Sequence, residues 1–337
     1  MRFGISFGAF YADPHEYLKC IVEAERLGYD YAFLPDSQMI YRDPFPILGA
    51  ASIQTERITL GIMVSSVVTR HTSVLASAFH TVYELSRGRS VFILGRGDSS
   101  VRRIGLKPVK IDEFVHKVNE IKQYLRGVKS SNVFHIRYVT HDVPVLVMAT
   151  GEKMLRIAGW LGDGAAVLLG PALASYAYSQ IQIGAKDANV DTSKRRYIFT
   201  AFCSISDDRK EAIANVKPAV TWFFINSPRI VKVLNNVLNI SLPNDFWSNI
   251  ERFRRDYARH DYIHEQRWDE AVKECAFIPD EIASALALAG TPEDVVQTLK
   301  SLKTFFNEVV IRPVSTDEWY TVFKKFGEEV IPRLKHL

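Results

Sequence analysis

Residues 2–36 read RFGISFGAFYADPHEYLKCIVEAERLGYDYAFLPD, and the order of patterns inside them decides the fold. RFGISFG (2–8) alternates with the period of a strand. DPHEYLKCIVEAERLG (13–28) spaces its apolar residues three and four apart, as one face of a helix requires. YDYAFLPD (29–36) returns to a strand. Asp13 is an N-cap residue, Pro14 suits the first helical position because it has no N–H to leave unpaired, and Gly28 stands where a left-handed C-cap falls. Strand, helix, strand is the repeating unit of a parallel sheet.

The unit recurs. Strand-like apolar runs follow at 57–64, 90–94, 144–149, 164–170, 196–206 and 307–313. Helical patterns lie between and after them at 43–54, 72–88, 111–126, 152–162, from 171, and at 316–336. Near-continuous apolar strands, each followed by a helix, predict an α/β fold of the (β/α)₈ TIM-barrel type. A doubly wound sheet is the rival. The stretch between strands seven and eight is too long for one helix and carries helical patterns at 207–226 and 280–302. It predicts one domain over 1–337 with a helical insertion, about 207–290, above the barrel's C-terminal face. Thr291 caps the helix that follows.

Composition bounds the function. Of 337 residues, 47% are hydrophobic and 24% charged, enough for one large core. A net charge of +4 does not argue for a nucleic-acid partner and suits a small acidic ligand. Cys20, Cys203 and Cys275 are odd in number and far apart, which speaks against a disulfide framework or a metal site and fits a reducing compartment. No basic leader and no membrane-length apolar window stands in the sequence. A cytoplasmic protein with a small-molecule substrate is expected, with neither membrane nor nucleic acid as partner.

In such a barrel, chemistry lies at the C-terminal ends of the strands. Those ends hold Ser6, Asp36, Met63 to Ser66, Gly95 to Ser100, Ala149 to Gly151 and Arg312. In SVFILGRGDSS (90–100) the glycines permit a positive φ and close ligand approach, and Arg96 offers a bidentate phosphate contact. Arg96 pairing with Asp98 or Asp36 in a tight turn is the alternative. The sixth position of a dinucleotide fingerprint is Ser100, so that motif is excluded. ATGEK (149–153) leads a strand into a helix and aims backbone N–H groups and Thr150 at one place. His71, the pair His260 and His264, the run SKRRY (193–197) and the aromatics Trp222 to Phe224 read as structural: a loop histidine, a solvated face, a surface turn and core packing.

With these blocks together, the chain resembles the bacterial luciferase-like superfamily. It is most similar to the branch of methylenetetrahydromethanopterin reductases that use the deazaflavin coenzyme F420. The likeness runs through MRFGISF, AERLGYDYAFLPDS, the block from Glu56 to Gly105, VPVLVMATGEKMLRIAGWLGDGAAV, AGTPEDVVQTLKSL and NEVVIRP. It implies a flavin or deazaflavin, FMN or F420, on the C-terminal face. It implies a non-proline cis peptide at Met63–Val64, where glycine is usual at the first position. It implies phosphate contacts from Gly95, Arg96, Gly97, Thr150 and Gly151, ring support from Met63, Val64 and Ser65, and polar groups near the substrate at Asp36 and Asp98. It also implies a homodimer or higher homo-oligomer. Three departures stand out. Arg96 replaces a proline of the reductases, which favours FMN. Ser6 replaces their glutamate, and Ser37 replaces a histidine common after the strand-two aspartate. The leading expectation is F420-dependent hydride transfer. FMN-dependent monooxygenation is the alternative, and a non-catalytic flavin carrier or a hydrolase using Asp36 and Asp98 comes from another class.

Overall fold

The computed structural model describes all residues except 9, 11, 98, 128–141, 228–229, 240–241, 256–267, 315–317 and 336–337. Its strands are β1 (Arg2–Ser6), β2 (Tyr31–Leu34), β3 (Thr59–Ser66), β4 (Ser90–Gly95), β5 (Val145–Ala149), β6 (Gly164–Leu168), β7 (Arg196–Ile205), β8 (Leu288–Gly290) and β9 (Glu308–Pro313). β1 to β7 are neighbours in chain order, β7 also pairs with β9, and β9 pairs with β1, all in parallel. The sheet therefore closes into an eight-stranded barrel with β9 as its last stave. That closure is the (β/α)₈ architecture and excludes the doubly wound rival, whose sheet is open.

Helices lie between the strands: α1 (Pro14–Arg26), α2 (Pro44–Gln54), α3 (Thr72–Leu85), α4 (Ser99–Arg102), α5 (Ile111–Leu125), α6 (Glu152–Ala158) and α7 (Ala174–Asp187). Between β7 and β9 come α8 (Arg209–Asn226), α9 (Ile230–Leu238), α10 (Phe246–Phe253), α11 (Trp268–Glu274), α12 (Asp280–Leu286) and α13 (Pro292–Leu302). α14 (Trp319–Lys325) and α15 (Ile331–Leu334) end the chain. α1 shows how local sequence makes them. Asp13 accepts from the His15 and Glu16 N–H groups at 2.7 and 3.1 Å. Tyr17, Cys20, Ile21 and Ala24 bury one face, and Gly28 at φ +86° ends it. Asp13→Ala would cost about 1 kcal/mol.

One sequence reading is corrected here. ALALAG does not continue a helix: α12 stops at Leu286, and Leu288–Gly290 pairs in parallel with Cys203–Ile205 of β7. The exposed upper edge of β7 outcompetes helix propensity. The C-terminal helix runs unbroken over 319–334, with a π-helical turn (Phe326–Val330) between α14 and α15, whose second residue is Pro332. SKRRY leads into β7 where the sequence placed that strand. Arg196 opens β7 and donates to both Glu308 oxygens at 3.2 and 2.8 Å and to the Tyr31 hydroxyl at 2.8 Å. The Arg2 guanidinium lies 4.4 Å from the centre of the Tyr31 ring. These four residues sit at the N-terminal ends of β1, β2, β7 and β9 and fill that end of the barrel.

Above them the barrel interior is apolar, with Phe33, Val91, Ile93, Leu146, Ile198 and Val310 packed together. Gly61 is needed there. A Cβ at that position would stand 2.2 Å from the Val91 carbonyl oxygen and 2.7 Å from the Phe33 ring. The larger core fills the layer between strands and helices, and it extends without a break into the 207–290 region through Phe223, Phe246 and Trp268. Phe223 and Phe224 are core, as their sequence suggested.

Candidate active site

The C-terminal end of the barrel is built differently. The Met63–Val64 peptide is cis, as the resemblance implied. Beside it the register of β3 against β4 shifts between Met63 and Ser65. Met63 joins the interior cluster, and its sulfur accepts from the Thr200 hydroxyl at 3.5 Å. Val64 is half-buried and faces Gly95, where a Cβ would come within 2.9 Å of it. Ser65 is buried and donates to Asp36 Oδ2 at 2.6 Å.

Asp36, at the end of β2, is 1% exposed. Its carboxylate also accepts from Arg70 Nη1 at 2.5 Å and from Gln38 Nε2 at 2.6 Å. Arg70 reaches on to Asp43 at 2.9 Å and lies 4.9 Å from the centre of the Phe45 ring. Burial pulls the Arg70 guanidinium pKa down, but hydrogen bonds and attraction to Asp36 and Asp43 outweigh it, so the net shift is upward. The pair Asp36–Arg70 thus locks the ends of β2 and β3 together beneath the cis peptide. Sequence reading named Asp36, took Arg70 together with His71 as structural, and passed over Gln38. The available signal was that Arg70 follows β3, the direct neighbour of β2.

Arg96 does not pair with Asp36. Its Nε and Nη2 donate to the Val109 carbonyl at 2.9 and 2.6 Å, which holds the 103–110 loop to the end of β4. Gly97 follows at φ +89°, where a Cβ would stand 2.8 Å from Val101 Cγ1 and 2.9 Å from Ser66 Oγ. Only glycine suits that geometry. On the adjacent strand, Thr150 is half-buried, and Gly151 is the extended N-cap of α6 with open space where a Cβ would be. β4 and β5 pair through Leu94 and Val147, so the two loops lie side by side. Asp98, His260 and His264 lie outside the described residues.

Three further groups complete this face. Ser6 is buried at the end of β1. Arg312, at the end of β9, lies 5.5 Å from the centre of the Phe202 ring, close against Gly8. Among the described residues, Gln38 Oε1 and Thr69 Oγ1 are buried oxygens without a hydrogen-bond partner, and both lie in loops of this face. Buried polar atoms are rarely left so unless another molecule serves them. Open space over Gly151, a half-buried Val64 and unpaired buried oxygens fit a flat, polar-edged cofactor. Elsewhere, His71 caps α3, its Nδ1 accepting from the Ser73 N–H at 3.3 Å. The three cysteines are buried and unpaired, and burial pushes the Cys20 thiol up to about 12, so none is poised as a nucleophile.

The whole chain has known relatives. The model of the luciferase-like monooxygenase family matches residues 1–306. The 5,10-methylenetetrahydromethanopterin reductase of Archaeoglobus fulgidus is 27% identical over 351 residues, covering 99% of this chain and 100% of that protein. The F420-dependent glucose-6-phosphate dehydrogenase of Intrasporangium calvum is 24% identical over 362 residues, covering 96% of each. The structure of the coenzyme F420 dependent tetrahydromethanopterin reductase from Methanopyrus kandleri superposes with a TM-score of 0.80 at 26% identity, covering 98% of this chain and 99% of that one. The chain belongs to the luciferase-like monooxygenase family. Its relatives named here are oxidoreductases.

Proposed function

We propose that this protein is a coenzyme F420-dependent oxidoreductase acting on a small-molecule substrate. The observation that carries the reading is the half-buried Val64 of the cis peptide packed on Gly95, with open space over Gly151 on the neighbouring strand end, at the catalytic end of the barrel. The relatives support the deazaflavin, because two that differ in substrate share F420 in their names. When bound, the deazaflavin supplies or accepts a hydride. The chain's residues do the rest. Gly95, Arg96, Gly97, Thr150 and Gly151 hold the phosphate. Met63, Val64 and Ser65 form the platform under the ring. Asp36 is a positioning residue: it acts through Ser65 and Arg70, which it holds in place. Asp98 is the proton-handling group of this reading, by its match to a reductase aspartate.

FMN-dependent monooxygenation is the second reading, favoured by Arg96 where the reductases have proline. A hydrolase built on Asp36 fits poorly, because that carboxylate is already bound by three donors. The chain is read as one domain, supported by a core continuous into the 207–290 region. A homo-oligomer is proposed as well, supported by exposed Ile53 on α2 and by Val74 and Leu85 on α3, the helix against which α2 packs. Among the described residues no helix is long and apolar enough to cross a membrane. Three unpaired thiols fit a cytoplasmic setting.

The deciding experiment is a spectral titration with F420 and, separately, with FMN, followed by anaerobic turnover with the cofactor that binds. Tight F420 binding and oxygen-independent hydride transfer are expected. Oxygen-dependent product with reduced FMN would replace this reading by the second.

A further inference from the structure

The protein's charge is distributed in an unusual way. Residues 101–110 contain Arg102, Arg103, Lys107 and Lys110 and no acidic residue. The rest of the chain holds 38 Lys and Arg against 38 Asp and Glu, so the whole net charge of +4 resides in this one segment. All four cations are exposed. Arg102 and Arg103 carry further interactions, while Lys107 and Lys110 have no carboxylate partner among the described residues. Of the acidic residues that follow in the first turn of α5, Glu113 is engaged by Lys117 at 3.6 Å, and Asp112 is exposed.

The segment is also pinned in place. The backbone N–H of Leu106 donates to the Val101 carbonyl at 2.9 Å, and Gly105 turns at φ +78°. Val109 is bound twice over to Arg96: its N–H donates to the Arg96 carbonyl at 3.2 Å, and its own carbonyl accepts from the Arg96 guanidinium. Lys117 Nζ donates to the Val67 carbonyl at 3.3 Å, so the middle of α5 is tied to the end of β3. The loop leaves and rejoins the barrel at the end of β4, beside Gly95 and Gly97. A cationic rim is thus held at the edge of the proposed cofactor site, and Arg96 serves partly as its anchor.

We infer that the 102–110 loop binds the polycarboxylate tail of the deazaflavin cofactor. The inference rests on the F420 reading above. F420 continues beyond its phosphate into a chain of glutamates, each adding a carboxylate, whereas FMN ends at the phosphate. A flexible polyanion leaving the strand-four turn meets four exposed cations with no acidic residue among them. Exposed pairs of this kind contribute little singly and add up along a tail. They also weaken as salt shortens the screening length to about 10 Å at 0.1 M.

The test titrates the intact protein with long-tailed F420, with F420 trimmed to a single glutamate, and with FMN, at low and high salt. Wild type should bind the long-tailed form about tenfold more tightly than the trimmed form at low salt. Lys107→Glu with Lys110→Glu should erase that gain and leave the trimmed form within about twofold. Lys107→Gln with Lys110→Gln, a milder change, should remove about half of it on a logarithmic scale. Wild-type affinity independent of tail length, or equal losses for both forms in the variants, would overturn the inference and leave the F420 reading standing. Binding of FMN with no binding of either F420 form would overturn both.

Discussion

The two ends of the barrel are made from the same eight strands and do opposite things. At the N-terminal end, Arg2, Tyr31, Arg196 and Glu308 pair among themselves and close the cylinder. At the C-terminal end, glycines and small residues stand at the strand ends, and two buried oxygens are unpartnered among the described residues. An unpartnered buried oxygen occurs at the N-terminal end too, at Ser90 of β4, so what sets the C-terminal end apart is the open space over Gly151 and the half-buried Val64. The exception at the C-terminal end is Asp36–Arg70, a buried pair that serves the site by fixing its floor.

That exception gives the largest expected effect. Arg70→Ala leaves a 1%-exposed carboxylate with only Ser65 and Gln38 as donors. Loss of one partner of a buried pair costs about 3–5 kcal/mol. Chemical denaturation of R70A should show such a loss, and adding Asp36→Asn should restore part of it. An unchanged midpoint would mean that Asp36 is solvated and the floor is soft.

Next comes the opposite end. Glu308→Gln keeps the shape but removes the charge facing Arg196, whose side chain is 27% exposed. Partial exposure reduces the penalty, so about 2 kcal/mol is expected. Cofactor affinity should stay within about twofold, because residues at the N-terminal end of the barrel serve stability. A large change in affinity would break the division between the ends.

Gly97→Ala should cost less in stability, about 1–2 kcal/mol, from a side chain at φ +89° that crowds Val101 and Ser66. Its cofactor affinity should fall by tenfold or more, since the turn itself is reshaped. Stability lost without affinity would move the phosphate site away from this turn.

The smallest effect is one of pH. Burial pushes the Glu25 carboxyl up, but N–H groups of Ile58, Arg57 and Glu56 hydrogen-bond to it and hold it below its ordinary value. A depressed acid stabilises above its unfolded pKa, about 4.3, and loses that contribution as pH falls through the folded value. Glu25→Gln should flatten the acid limb of the stability curve below about pH 5, by less than about 1 kcal/mol after screening. An identical acid limb in the variant would assign it to other carboxylates.

Much of the fold was legible because its signals are local. Asp13 and Thr291 cap the helices that begin beside them, and Thr291 forms a full capping box with Asp294. Apolar runs became strands wherever both faces were to be buried. The misreading came where a partner remote in sequence decided. Leu288–Gly290 has helical neighbours and helical composition, yet it pairs with β7 some eighty residues earlier. Arg196 stands at the start of its strand as its pattern predicts, but nothing nearby in sequence points to Glu308, 112 residues away, as its partner.

The candidate site divides in the same way. The sequence by itself determined the order of strands and helices, hence which residues stand at strand ends: Asp36, Met63, Gly95, Arg96, Thr150. These follow from periodicity and chain order alone. Only the tertiary structure decided which of them meet. Arg70 took Asp36, and Arg96 took the Val109 carbonyl, because barrel closure and strand register set distances between neighbouring strand ends. A charge 34 residues away in the chain can therefore stand 2.5 Å away in space, and no one-dimensional pattern records that separation.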